Sequence, residues 1–149
     1  MVEEKTVYAY RLETRKVYEP DFPYKNQSFS NSVQVHSFAE SLQDADIEKF
    51  LVLHTDGQNA LICIQWYSGK PNSCDVPVRE IIKHALLCSA TGIILVHNHP
   101  SQIEKFSDAD IKTTRLIKDA AKLLEIQVLD HILICGEKYL SMSDQGIMN

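Results

Sequence analysis

An α/β fold, in which helices pack on a mixed β-sheet, is the class this sequence predicts, and three observations predict it. Short apolar, β-branched runs such as Phe50-Leu51-Val52-Leu53 and Gly92-Ile93-Ile94-Leu95-Val96 read as buried strands. Two longer segments, 77–89 and 107–124, repeat apolar residues at i, i+3, i+4 spacing and read as helices. The two kinds of segment interleave along the chain, as a layered α/β domain requires.

In order, residues 6–17 alternate well enough for a strand, and 18–31, with Pro20, Pro23, Asn26 and Ser28, read as a loop. Residues 1–32 show no chemistry and are set apart as an N-terminal strand and loop extension; 33–149 form the domain. Val33-Gln34-Val35 is expected to be extended. Ser37-Phe38-Ala39-Glu40 spells a capping box, so a short helix is expected from Ser37, burying Phe38, Ala39 and Leu42. Glu48 to Thr55 reads as a strand covered on both faces. Asp56-Gly57-Gln58-Asn59 is a turn, and Ala60 to Tyr67 returns as the second strand of a hairpin. Ser68-Gly69-Lys70-Pro71 turns the chain again before a short segment at Cys74-Asp75-Val76.

A helix follows from Pro77, which fits a first turn. Its inward stripe is Val78, Ile81, Ile82, Ala85, Leu86 and Ser89, with Arg79, Lys83 and His84 mostly off it. The strand from Gly92 stops at Pro100, which cannot donate to a sheet ladder. The helix from Ser107 turns Ile111, Thr114, Ile117, Ala121 and Leu124 to one side. Ile126 to Cys135, a turn at Gly136-Glu137-Lys138, and Tyr139 to Met142 complete the sheet.

At 149 residues the chain is one domain by default and large enough to need no staple to stay folded. Its formal charge, 15 minus 20 or −5, argues against nonspecific adhesion to nucleic acid or anionic membrane. No apolar h-region opens the sequence, and no run approaches the roughly 18 apolar residues of a spanning helix. Cys63, Cys74, Cys88 and Cys135 form no Cys-x-x-Cys pair and read as reduced thiols. A cytoplasmic protein is the resulting expectation.

The chemistry concentrates at Val96-His97-Asn98-His99-Pro100. Side chains on a strand alternate, so His97 and His99 leave one face side by side. After a polar loop, the first turn of the helix from Ser107 can bring the Asp110 carboxylate over both imidazoles. Two histidines and a carboxylate make three ligands for a divalent ion with a fourth position for water, the pattern of a catalytic zinc site. Each residue also has a plainer reading. A histidine pair at a strand end can be an ordinary polar rim. Ser107 with Asp110 is itself a capping-box variant, in which Ser107 could keep the cap while Asp110 turns to the ion.

His97-x-His99-Pro100 followed by Ser107-x-x-Asp110 resembles the JAMM (MPN+) metalloprotease motif in the form found in RadC-like JAB domains. The resemblance runs from about Val33 to Ile147 and includes Val78-Arg79-Glu80-Ile81, Ala90 to Ser101 and Leu129-Asp130-His131. It implies a three-layer JAB/MPN architecture of the cytidine-deaminase-like kind. It further implies that His97, His99 and Asp110 hold Zn²⁺, that Glu48 is the general acid/base, and that Ser107 donates a hydrogen bond to the oxyanion. The implied reaction is zinc-dependent hydrolysis of a peptide or isopeptide bond in a protein substrate, including conjugates of a ubiquitin-like tag. The family alternative is a RadC-type DNA-repair or mobile-element accessory protein that binds or cleaves nucleic acid, against which the −5 charge weighs. Oligomeric state is left open, a homodimer included.

Two departures from the family pattern stand out. RadC-like loops usually carry glycine at 102 and prolines at 104 and 106, where this chain has Gln102, Glu104 and Phe106. Nothing here resembles the N-terminal helix-hairpin-helix region of full-length RadC proteins, so a stand-alone domain is expected. Asp130 and His131, adjacent on a strand, face opposite ways, and at most one can support the site. His36, His54 and His84 read as surface or packing residues.

Overall fold

A computed structural model of the chain describes residues 27–69 and 76–148. The strand expected at 6–17, the loop as far as residue 26, and Cys74-Asp75 lie outside the described residues. Among those described, the chain runs α1 (Ser32–Phe38), a 3-10 turn (Glu40–Asp44), β1 (Lys49–Thr55), β2 (Leu61–Ser68), α2 (Val78–Leu87), β3 (Gly92–Asn98), α3 (Asp108–Lys122), β4 (Gln127–Cys135) and β5 (Lys138–Ser141). The five strands form one sheet in the order β2-β1-β3-β4-β5. β3 and β4 are parallel, and every other neighbouring pair is antiparallel. A parallel pair needs a long crossover, and α3 supplies it.

Strand alternation divides the core between the two faces of this mixed α/β sheet. Leu51, Leu53, Ile94, Val96, Ile132 and Ile134 pack with Val35 of α1 and Leu42 of the 3-10 turn. Phe50, Val52, Ile93 and Leu95 pack instead with Ile81 and Ala85 of α2 and with Ile117 and Ala121 of α3. Helices therefore cover both faces, in three layers. Each Val, Leu, Ile or Phe among them, fully buried, stabilises the fold by about 1.5–3 kcal/mol of transfer free energy. The parity of Ile93 and Leu95 also decides where His97 points: into the layer of α2 and α3.

Two expectations near the start are corrected. Val33-Gln34-Val35 is helical, not extended, and Ser37 ends a helix rather than starting one. The cap is Asn31, whose side chain accepts from the backbone N–H of Gln34 at 3.0 Å, while Gln34 Oε1 accepts from the N–H of Ser30 at 2.7 Å. That reciprocal pair sets the helix start six residues earlier than the Ser37 signal, and burial of Val35 outweighs the strand preference of its β-branched neighbours. On α3 the buried residues are Asp110, Thr113, Thr114, Ile117 and Ala121, while Leu124 is 45% exposed beyond the helix end. Cys63, Cys88 and Cys135 are free thiols. No helix among the described residues is long and apolar enough to cross a membrane.

Gly92 opens the histidine strand because no side chain fits there. A Cβ would overlap Thr55 Oγ1 and meet Leu129 Cδ1 at 3.0 Å. Overpacking of this kind costs about 1–3 kcal/mol. Gly92→Ala is accordingly expected to lower the urea midpoint with an unchanged m-value, and an unchanged midpoint would refute the steric reading.

Candidate metal centre

The end of β3 carries the site. The register that sets Phe50 of β1 opposite His97 of β3 brings Glu48, two residues before Phe50, toward His99. His97 is fully buried, and β4 continues alongside, with the N–H of His99 donating to Ile134 O at 2.9 Å. Asn98, between the histidines, points to the opposite face and is buried. Its side-chain oxygen accepts from the N–H of Lys49 at 2.6 Å, and its Nδ2 donates to Ile47 O at 3.1 Å. Asn98 thus grips the main chain on both sides of Glu48.

The helix start delivers the third group as the capping box predicts. Ser107 Oγ accepts from the N–H of Asp110 at 3.1 Å, and Asp110 Oδ2 accepts from Ser107 N–H and Oγ–H, each at 2.7 Å. The cap and the site share one carboxylate rather than compete for it. Oδ1 of Asp110 lies 3.3 Å from His97 Nε2, and Oδ2 lies 3.5 Å from His99 Nε2. Ser107 stands beside the site, but its hydroxyl proton is engaged by Asp110. Donation to an oxyanion requires that hydroxyl to turn away.

His97 Nε2 and His99 Nε2 are 3.1 Å apart. One ligand atom from each of Glu48, His97 and His99 falls within 4.8 Å of the others. Two nitrogens bound to one tetrahedral zinc at 2.0–2.1 Å sit roughly 3.3 Å apart, so the spacing of His97, His99 and Asp110 suits a common ion. The donor chemistry agrees. His99 Nδ1 lies 3.0 Å from Ile103 O, a carbonyl that only accepts, so the proton of the neutral ring sits on Nδ1 and Nε2 presents a lone pair.

Electrostatics point the same way. When Nε2 takes up a second proton it donates to Asp110, and that hydrogen bond is the main cause holding the His99 imidazole above its ordinary pKa, against its burial. Burial would raise the Asp110 carboxyl, yet hydrogen bonds with His97, His99 and Ser107 hold it well below the usual carboxylate range. A carboxylate that stays ionised in a half-dry pocket marks a spot where positive charge is favoured.

Four residues that the motif alone does not flag complete the arrangement. His131 Nε2 lies 2.7 Å from His97 Nδ1, and His131 Nδ1 lies 2.6 Å from Thr114 Oγ1. Its complete burial is the main cause holding the His131 pKa well below the ordinary value, so the ring is neutral. Phe50 and Phe106 flank the two imidazoles, with ring centroids 6.3 and 6.1 Å from His97 and 5.7 and 5.5 Å from His131. Phe106 precedes the Ser107 cap and packs near Ile111, a hydrophobic staple. Asn98 is the fourth.

Of the adjacent pair, His131 supports the site, while Asp130 binds elsewhere, to Ser141 Oγ and to the N–H groups of His131 and Ser143. His54, fully buried, bonds Gln65, and His84 bonds Glu80 O, away from the centre.

The loop between ligands is shaped despite its departures from the family pattern. Gln102 adopts φ 57°, the left-handed conformation that glycine takes freely, which accounts for glycine being usual there. Ile103 O also accepts from Cys135 Sγ, and Glu104 pairs with Lys138 at 2.8 Å. Ile103 itself is 60% exposed, and it reaches the site through its carbonyl, which meets His99 Nδ1.

Comparison with known proteins matches residues 29–147 to the RadC-like JAB domain family. A UPF0758 protein of Histophilus somni is 42% identical over 122 residues, 80% of this chain and 55% of the relative. One from Staphylococcus haemolyticus is 37% identical over 132 residues, 88% of this chain and 58% of the relative. One from Photobacterium profundum is 39% identical over 112 residues, 74% and 50% respectively. The chain spans about half the length of these curated relatives, and their names state no activity.

Proposed function

Because the chain belongs to the RadC-like JAB domain family, we propose that it is a zinc-dependent hydrolase of peptide or isopeptide bonds. The observation that supports this most is the convergence of His97, His99 and Asp110 at 3.1–3.5 Å, with Glu48 beside them. His97 and His99 through Nε2, and Asp110 through its carboxylate, would hold the ion. Bound zinc supplies Lewis acidity, bringing the pKa of coordinated water from 15.7 to about 7 and polarising a carbonyl.

The remaining work falls to the chain. Glu48, half-buried and held through its neighbours by Asn98, accepts the proton of the attacking water and passes it to the departing amine. Phe50 and Phe106 keep water from the far side of His97, so the polar contacts act in a low-dielectric setting. Ser107, once its hydroxyl turns from Asp110, donates to the developing oxyanion. The substrate is a peptide or protein, with ubiquitin-like conjugates in the same chemical class. The JAB/MPN architecture supports a hydrolase, and the −5 charge gives the nucleic-acid alternative no support.

Metal content tests the reading directly. Protein purified without chelator and dialysed against trace zinc is expected to hold close to one zinc per chain by elemental analysis. A strong chelator should strip it and abolish hydrolysis, and readdition should restore both. Retention of only a trace of metal overturns the proposal.

A further inference from the structure

We propose that His131 is a positioning residue: with Thr114 it forms a buried hydrogen-bonded relay, ended by the main-chain carbonyl of Asp110, that dictates which nitrogen of His97 faces the candidate metal centre. The purpose assigned to this relay rests on the zinc reading above; its geometry does not.

The relay can be read from its far end, where only one arrangement of protons is available. The carbonyl oxygen of Asp110 can only accept, and Thr114 Oγ1 lies 2.7 Å from it, so the single hydroxyl proton of Thr114 goes there. The same hydroxyl oxygen is 2.6 Å from His131 Nδ1 and, its proton already committed, accepts from it. A neutral His131 protonated at Nδ1 has a bare Nε2. That Nε2 is 2.7 Å from His97 Nδ1, so His97 donates to it. A neutral His97 is left with its lone pair on Nε2, the atom 3.1 Å from His99 Nε2 and 3.3 Å from Asp110 Oδ1.

A second proton on His131 would put a cation in a ring with 0% exposure whose nitrogens meet a hydroxyl and an imidazole rather than a carboxylate. Such burial is strongly unfavourable. The reverse orientation, with His97 protonated at Nε2, would leave the hydroxyl of Thr114 facing the Asp110 carbonyl without a proton between them. Asp110 therefore acts at both ends of His97. Its carboxylate meets the Nε2 side, and its main chain terminates the relay that leaves from Nδ1. A strand-borne ligand and a helix-borne ligand hold each other's orientation.

Thr114 offers the cleaner variants, since valine keeps its volume without the hydroxyl and serine keeps the hydroxyl without the methyl. In metal-free protein carrying ¹⁵N-histidine, long-range ¹H–¹⁵N correlation should show His97 and His131 both protonated at Nδ1. Zinc affinity by competition with a chromophoric chelator should fall about 10-fold or more in Thr114→Val, the scale of losing an outer partner of a ligand. Thr114→Ser should stay near wild type, which loss of packing alone would not predict. Protonation of His131 at Nε2, or wild-type affinity in Thr114→Val, overturns the relay. If wild-type protein takes up no zinc while both tautomers are as stated, the relay stands and the zinc reading fails.

Discussion

Glu48→Gln is expected to leave zinc content near wild type while hydrolysis of a fluorogenic peptide falls by about 10²–10⁴-fold, the usual contribution of a general acid/base. That loss corresponds to roughly 2.7–5.4 kcal/mol of activation free energy. Glutamine preserves shape and hydrogen bonding but cannot take up a proton. The measurement also separates two roles that the geometry allows, since Glu48 lies within 4.8 Å of both imidazole donors. If metal and turnover disappear together, Glu48 is itself a ligand. If turnover persists at the wild-type rate, Glu48 is not the base.

Asp110→Asn is expected to do the opposite, losing metal while keeping the fold. An asparagine oxygen can still accept from the N–H of Ser107, so the start of α3 remains capped. The negative charge that completes the donor set is gone. Zinc affinity should fall by more than the ~10–100-fold that an outer partner is worth. Chelator competition reads the affinity, and far-ultraviolet circular dichroism with a thermal melt checks that the helix persists. A variant that binds zinc as tightly as wild type would remove Asp110 from the ligand set.

Asp110 is placed beside the histidines by local sequence signals, whereas Glu48 enters only through the family resemblance, and the difference is physical. His97 and His99 share a face because strand parity is rigid, and Asp110 follows because a serine cap fixes where a helix begins. Gly92 through Val96 is unmistakably a buried strand because nothing polar interrupts it. Local signals fail where tertiary contacts decide. Val33 and Val35 look extended, yet Asn31 and Gln34 cap a helix that buries Val35. His131 lies 34 residues from His97, and only the parallel pairing of β3 with β4 shows that it reaches Nδ1. Asn98 is invisible for the same reason, since its partners Ile47 and Lys49 meet it only across the sheet. Phe106 reads in the sequence only as a departure from the family loop, and its place beside the imidazoles comes from the fold.

The grip of Asn98 on Ile47 and Lys49 has a consequence for how the site is readied. Those two bonds form when β1 and β3 zip together, so the distance from acid to imidazoles is set during folding, before substrate arrives. Little rearrangement is then required at the moment of reaction. While those two bonds hold, Glu48 and both histidines are fixed to one pair of strands.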